Sequence, residues 1–188
     1  MTTKLSTIRE VQAQAKLLVS EAELMLAFDK IAIEIAAKLK DTNPIVLPIM
    51  NGALMFTAEL MKRLDFPMQL DYVHATRYRG NTIGGDHIHW IKEPTDTLTD
   101  RTILIVDDVL DGGQTLHAIV EFCYARGAKQ VYTAVALDKP DGRSETGLQQ
   151  ADFTGIAIPN EFVIGFGLDY DGYLRNLSGI YQVAKQHQ

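Results

Sequence analysis

The chain has 188 residues, of which 46% are hydrophobic and 22% charged, a composition typical of a globular protein with one substantial core. Its formal net charge of −6 argues against a broad basic surface for nucleic acid or anionic lipid. No apolar stretch is long enough to span a membrane, and the single cysteine, Cys123, excludes an internal disulfide. We therefore expect one domain over residues 1–188, a cytoplasmic location, and no partnership with nucleic acid or membrane.

The first half of the chain predicts alternating helices and strands. Ser20 and Glu23 form a capping box, and apolar residues then recur at helical spacing, which predicts a long amphipathic helix to about Lys40. The elements expected after it are a strand over 45–50, a helix over 53–64, a strand over 68–76, a polar, glycine-containing loop or hairpin over 77–86, and a returning strand over 87–92.

The second half continues the alternation. It predicts a strand over 102–106, a helix over 115–126 that ends at Gly127, a strand over 130–137, and short strands near 153–158 and 162–166. Such alternation indicates an α/β fold whose central, mainly parallel sheet is flanked by helices. Ligands of these sheets bind beyond the carboxyl ends of the strands.

The most informative segment is 103–116, which combines a strand, two carboxylates and a glycine turn. Ile103–Val106 is a short apolar run typical of a strand covered on both faces. Asp107 and Asp108 follow it, and Gly112-Gly113 then permit a tight turn into a helix. Because a helix start attracts anions, this pattern predicts a ligand that carries hydroxyls and a phosphate together, such as a ribose phosphate.

This segment resembles the signature of the type I phosphoribosyltransferases, which bind 5-phosphoribosyl-1-pyrophosphate (PRPP). Three further segments, 49–53, 137–140 and 158–177, resemble the hypoxanthine-guanine phosphoribosyltransferases. The resemblance implies the type I phosphoribosyltransferase fold with a small hood and a flexible loop. It also implies purine salvage, in which hypoxanthine or guanine reacts with PRPP to give IMP or GMP and pyrophosphate, with Mg²⁺ as cofactor. A homodimer or homotetramer is expected, with the apolar helix over 53–64 as a possible interface.

On this resemblance, the acidic-glycine segment holds PRPP and one edge of the base. Asp107 and Asp108 match the pair that binds the ribose hydroxyls and helps to hold a metal, although relatives often have Glu first. Asp111 matches a residue that faces purine N7 as general base, and its alternative is a turn-forming Asp. The residues that match the 5′-phosphate cradle are Gly112, Gly113, Gln114 and Thr115, with Gly112 at a position that commonly carries Thr or Ser.

The remaining matches concern the base and pyrophosphate. Lys139 would donate to purine O6, which favours 6-oxopurines over adenine. Phe162 would stack on the purine, and the Val163 backbone would meet its N1/N2 edge, although Phe162 to Ile164 also reads as a plain core strand. Asp169 would bind Mg²⁺ and Arg175 would meet pyrophosphate, or the two would form only a surface ion pair.

Two loops depart from the pattern of many relatives. Asn51 and Gly52 would offer backbone N–H groups to pyrophosphate, but Asn51 replaces a lysine found in some relatives. Tyr78 would close over the reacting centre. Its neighbours Arg77 and Arg79 either supply cations there or belong to a solvated basic hairpin.

Two other functions stay open from the sequence. The enzyme could prefer xanthine, because Lys139 and Asp169 permit that base as well. The fold could instead serve a non-catalytic regulatory protein that senses PRPP or nucleotides. Asp111 and Arg175 favour retained catalysis, and the negative net charge argues against a regulator that binds nucleic acid.

Overall fold

A five-stranded parallel sheet lies at the centre of the computed structural model, which describes residues 4–77 and 88–188. The helices are α1 (Lys4–Gln14), α2 (Glu21–Leu39), α3 (Leu54–Met61) and α4 (Gln114–Ala125). The strands are β1 (Lys16–Val19), β2 (Ile45–Pro48), β3 (Gln69–Leu70), β4 (His74–Arg77), β5 (Ile88–Lys92), β6 (Thr102–Leu110), β7 (Gln130–Asp138), β8 (Phe153–Ala157), β9 (Val163–Ile164) and β10 (Ile180–Gln182).

The central sheet has the strand order β3-β2-β6-β7-β8 and is covered on both faces, as the apolar run in β6 predicts. Leu104 and Val106 point into a core shared with α2 and α3, whereas Ile103 and Ile105 point into a second core shared with α4. Ile103 to Val106 is therefore fully buried. The predicted α/β class with a parallel sheet flanked by helices is confirmed.

A second, smaller sheet forms the hood. It is antiparallel, in the order β1-β10-β9, and joins residues near the amino terminus to residues near the carboxyl terminus. Phe166, just after β9, packs against Phe28 of α2 with ring centroids 5.4 Å apart. The hood is thereby fixed to the main core beside the carboxyl ends of the central strands.

Most predicted elements of the central sheet are confirmed, and the capping box of Ser20 and Glu23 begins α2. The single strand predicted over 68–76 is wrong. The structure divides it into β3, in the central sheet, and β4, which pairs with β5 in a separate antiparallel hairpin. The chain changes partners between Val73, which still bridges Ile49, and His74, which pairs with Lys92 of β5. Just before this point the Asp71 carboxylate accepts hydrogen bonds from Lys92 and from nearby backbone amides.

The two ends of the chain were not predicted from the sequence. Helix α1 and strand β1 precede the first predicted helix, and β10 follows the last predicted strand. Within residues 4–77 and 88–188, no helix combines the length and apolar character needed to cross a bilayer. The loop predicted after Arg77 lies outside the described residues.

Candidate active site

A cleft of about 600 Å³ opens where β2 and β6 end, at the edge of the sheet where the sequence predicts a ligand. Among the described residues, four aspartates and one arginine line it, so its electrostatic character is acidic. The predicted site residues that the cleft brings together are Asn51, Gly52, Asp107, Asp108, Asp111, Gly112, Gly113, Gln114, Thr115, Asp169 and Arg175.

The acidic pair lies within strand β6 rather than after the strand end predicted at residue 106. Strand β6 runs on to Leu110 because its pairing with β7 continues, through Asp107 opposite Val135 to Leu110 opposite Asp138. The two carboxylates are half-buried, and Asp107 accepts a hydrogen bond from the backbone N–H of Asp108 at 3.0 Å. Placement on a rigid, paired strand fixes both side chains at the floor of the cleft.

Burial dominates the electrostatics of this pair. Desolvation, together with the negative charge of Asp108, raises the pKa of Asp107 well above its ordinary value. Desolvation also raises the pKa of Asp108, although the Val109 amide and the Arg175 guanidinium partly offset it. Gly52 approaches so closely that a Cβ at this position would overlap the Asp108 carboxylate. The ionised pair is therefore unfavourable until a hydroxyl donor or a cation reaches it.

The start of α4 has the geometry that an anion cradle requires. Gly113, the N-cap residue, has φ of 80° and, as a glycine, has no side chain with which to cap the helix. A following segment supports the turn, since Ser144 N–H donates to Gly112 O at 3.1 Å and Leu148 N–H donates to Gly113 O at 3.0 Å. A side chain on Gly113 would also collide with the Leu148 backbone. This arrangement directs backbone N–H groups of the first helical turn towards the cleft.

The structure joins Asp111 to Lys139, which are 28 residues apart in sequence. Each follows the last residue of a strand, Leu110 of β6 and Asp138 of β7. Their side chains form an ion pair, with Nζ to Oδ2 at 2.8 Å. The lysine side chain is only 8% exposed while the aspartate is 48% exposed. Asp111 therefore presents a free carboxylate edge to solvent while holding a buried ammonium beside it.

Sequence reasoning missed Arg143, which closes this corner of the site. Its Nη1 donates to the carbonyl oxygens of Leu110 and Asp111, both at 2.6 Å, and of Lys139 at 2.9 Å. Residues Pro140–Gly142 make one 3₁₀ turn, which returns the chain so that Arg143 reaches the strand ends. An arginine placed four residues after Lys139, across a Pro-Asp-Gly turn, was the available signal.

The hood supplies the opposite wall. Arg175 pairs with Asp169, with Nη2 to Oδ1 at 2.6 Å, and its Nη1 donates to Gly167 O at 2.5 Å. Asp169 also accepts from the Gly172 N–H at 2.7 Å. Gly167 has φ of 104° and lies against the Gly52 backbone, so that any side chain there would collide with it. The hood and the turn after β2 thus meet tightly at the edge of the cleft.

The turn after β2 contains a cis peptide bond between Met50 and Asn51. Met50 N–H donates to Val73 O at 2.8 Å, and Ile49 N–H donates to Val106 O at 2.9 Å, so the turn is anchored on both neighbouring segments. Asn51 and Gly52 then face the cleft. Tyr78 and Arg79 lie outside the described residues, as does the side chain of Arg77.

Two predicted base-binding residues lie on the hood, outside the residues that line the cleft. Val163 is buried in β9, opposite Gln182 of β10. Phe162 is exposed, and its ring is 6.0 Å from that of Tyr170 in an edge-to-face arrangement. An exposed phenylalanine beside a second aromatic ring offers a flat apolar surface to a ligand that extends beyond the edge of the cleft.

The carboxylates of the cleft suit Mg²⁺, which takes part of its ligands from water and substrate, better than a metal whose ligands are all protein side chains. Within the described residues, no group of three or more His, Cys, Asp or Glu side chains is arranged to hold a metal ion. The cleft nevertheless places Asp107, Asp108 and Asp169 around one space. Mg²⁺ is commonly bound through one or two carboxylates, water and substrate phosphates, so this donor set suits a metal that arrives with a phosphorylated substrate.

Comparisons with known proteins agree with this geometry. Residues 18–171 match the phosphoribosyl transferase domain family. The chain is 35% identical over 162 residues to the hypoxanthine-guanine phosphoribosyltransferase of Bacillus subtilis, covering 86% of this chain and 89% of that protein. It is 36% identical to the bifunctional protein TilS/HprT of Listeria innocua, of which it spans only 25%. The crystal structure of a hypoxanthine phosphoribosyltransferase from Staphylococcus aureus matches with a TM-score of 0.86 at 26% identity, covering 98% of each chain.

Proposed function

Because the chain belongs to the hypoxanthine-guanine phosphoribosyltransferases, we propose that it transfers the 5-phosphoribosyl group of PRPP to a 6-oxopurine, hypoxanthine or guanine. In this reaction purine N9 attacks C1 of the ribose, and the C1–O bond to pyrophosphate breaks with its electron pair leaving on pyrophosphate. The base loses one proton. The products are IMP or GMP and pyrophosphate, as in purine salvage.

The observation that carries the proposal is the ion pair of Lys139 and Asp111 at the end of neighbouring strands. O6 and N7 lie side by side on one edge of a 6-oxopurine. Lys139 is a pure donor and suits O6, while the Asp111 carboxylate suits an N7 that carries a proton. Asp111 would take that proton as N9 attacks, so that positive charge does not build up on the base.

The other half of the cleft suits PRPP. Asp107 and Asp108 would accept hydrogen bonds from the ribose 2′- and 3′-hydroxyls, which gives these desolvated carboxylates further donors. The start of α4, from Gly112 to Thr115, would hold the 5′-phosphate. These contacts fix the ribose on the sheet edge, so that C1 faces the incoming base.

Pyrophosphate would lie between the hood and the turn after β2. Arg175 would meet it, and the backbone N–H groups of Asn51 and Gly52 would donate to it from the other side. Asp169 would hold Mg²⁺ together with Asp107 and Asp108. The bound ion would offset the charge of the leaving group in an acidic cleft, where Arg175 is the one cation among the described lining residues.

The test of the proposal is pyrophosphate release with PRPP and Mg²⁺, measured in turn with hypoxanthine, guanine, xanthine, adenine and uracil. We expect turnover with hypoxanthine or guanine. Turnover confined to xanthine would replace the substrate assignment. PRPP binding without turnover of any base would overturn the assignment as an enzyme and favour a regulatory protein.

The same assay tests the role of Asp111. Asp111→Asn should lower kcat about 100- to 10,000-fold, the usual contribution of a general base, while PRPP affinity is largely kept. Asp141→Asn is the matched control, because Asp141 is an exposed carboxylate on the adjoining turn. An equal loss of PRPP affinity in Asp111→Asn would make Asp111 a turn residue instead.

We also propose that the protein is a cytoplasmic homo-oligomer, a dimer or tetramer. Its single cysteine, Cys123, is buried and unpaired, which fits a reducing compartment. A largely apolar groove of about 320 Å³ lies along α3, between it and the segment around Leu70 and Tyr72, and these two side chains and Leu54 are exposed. A second copy would cover this surface. Light scattering that gives the mass of one chain at micromolar concentration would contradict this.

A further inference from the structure

Arg143 is a largely buried arginine that no step of the proposed reaction uses. Its side chain is 10% exposed, yet it carries a full positive charge. Besides the three carbonyl oxygens that accept from Nη1, the carboxylate of Asp138 accepts from Nη2, and Gln149 O accepts from Nε at 3.1 Å. A buried guanidinium costs free energy unless it is paired, and here each of its three nitrogens has an acceptor.

The acceptors belong to the two strand ends from which the base-facing side chains leave. Leu110 and Asp138 are the last residues of β6 and β7 and lie opposite each other in the sheet. Asp111 and Lys139 come directly after them, and Arg143 binds the backbone carbonyls of both. One planar group therefore fixes the backbone positions that determine the separation of the Asp111 carboxylate and the Lys139 ammonium.

This fixation matters because the two charged side chains also attract each other. Without a rigid backbone, their ion pair could persist while the pair as a whole shifts relative to the ribose. A displacement of about 1 Å at a reacting centre can cost about 100-fold in rate. A lysine at position 143 could not reproduce the contacts, because one ammonium cannot supply the planar fork that reaches Gln149, Asp138 and the carbonyl cluster together.

We propose that Arg143 is a positioning residue for the purine half of the site. It fixes where the Asp111 carboxylate and the Lys139 ammonium lie relative to N7 and O6 of the base. The inference rests on the proposed function. It distinguishes the two halves of the cleft: Arg143 acts on recognition of the base through two other residues, and its hydrogen bonds go to the two strand ends and Gln149 rather than to the 5′-phosphate cradle of Gly112 to Thr115.

The experiment compares Arg143→Lys with the wild-type protein in binding and turnover. Arg101→Lys is the matched control, because Arg101 also donates to a backbone carbonyl, that of Asn43 at 2.9 Å, but lies just before β6, at the opposite end of the sheet. Affinities for IMP and for ribose 5-phosphate are measured by calorimetry, since the first ligand includes the base and the second does not.

We expect Arg143→Lys to lower IMP affinity, and kcat/KM for hypoxanthine, about 10- to 100-fold. Affinity for ribose 5-phosphate and KM for PRPP should stay within about twofold of wild type, as should every property of Arg101→Lys. Equal weakening of both ligands would overturn the positioning role and make Arg143 a general structural residue. No change in either ligand would overturn it as well.

A test in a double-variant background shows whether Arg143 affects base binding through Asp111 and Lys139 or by contacting the base directly. In a protein that already carries Asp111→Asn and Lys139→Gln, Arg143→Lys should have almost no further effect on IMP affinity, because the side chains it positions are gone. A fully additive loss would contradict the proposal. If the wild-type protein neither binds IMP nor turns over a 6-oxopurine, the proposed function fails. That result is distinct from every outcome named above for the Arg143 variants.

Discussion

Two groups of carboxylates in this protein have opposite electrostatics. Asp71, between β3 and β4, has a pKa lowered to about 2 although its side chain is only 9% exposed. Asp107 and Asp108, at the floor of the cleft, have raised pKa values. Both groups are desolvated, so burial alone does not explain the difference.

The difference lies in the donors that each carboxylate receives. Asp71 accepts from the Lys92 ammonium at 2.7 Å and from the backbone N–H groups of Tyr72, Thr95 and Asp96, which together outweigh desolvation. Asp107 receives the Asp108 N–H and faces a second negative charge. A buried carboxylate supplied with donors by its own fold stabilises that fold, whereas one left short of donors is suited to a ligand that brings them.

The largest effect that would sharpen this contrast is on ligand binding. Asp108→Asn should weaken PRPP binding about 10- to 100-fold, the usual effect of losing a hydrogen bond to a charged group, and turnover should fall with it. The melting temperature of the ligand-free protein should not fall, because the substitution removes a desolvated charge and its repulsion. PRPP titration and thermal unfolding of the same preparation measure both quantities.

The exposed Asp65 provides the control for a simple loss of negative charge. Asp65→Asn should change neither PRPP affinity nor melting temperature. If Asp108→Asn lowered the melting temperature by several degrees without ligand, Asp108 would belong with Asp71 as a structural carboxylate, and the contrast between the two groups would not hold.

The two groups also differ in how far they could be predicted from sequence, because one depends on a local pattern and the other on contacts between distant residues. Strand β6, helix α4 and the location of Asp107 and Asp108 follow from a local pattern of apolar residues, carboxylates and glycines. The change of partners between Val73 and His74 depends on β5, whose Lys92 pairs with His74 and also binds Asp71. The pairing of Lys139 with Asp111, and the contacts of Arg143, also depend on which strands become neighbours, and no local periodicity carries that information.

A smaller effect is expected on stability at Asp71. Its pKa falls from 3.8 to about 2, and such a shift corresponds to a stabilisation of about 2 kcal/mol at neutral pH. Asp71→Asn should lower the free energy of unfolding by about this amount, as measured by chemical denaturation, because a neutral amide cannot pair with Lys92. Activity per folded molecule should remain, since Asp71 does not line the cleft. A large loss of kcat in a fully folded variant would contradict the structural assignment.

The smallest effect is the pH dependence of stability, in which the two groups oppose each other. Asp107 and Asp108 take up protons in the folded protein above pH 3.8, where the unfolded chain is still ionised, so ligand-free stability should rise as the pH falls towards 3.8. Asp71 stays ionised in the folded protein down to about pH 2, whereas the unfolded chain takes up its proton near 3.8. Its contribution should therefore be present above pH 3.8 and lost as the pH falls towards 2.

Each group changes the free energy of unfolding by at most about 1.4 kcal/mol per pH unit. Urea unfolding across pH 2–7 should show the acid-side loss reduced in Asp71→Asn and the rise from neutral pH reduced in Asp107→Asn. If the free energy of unfolding changed with pH in both variants as it does in the wild-type protein, neither group would control stability at acid pH.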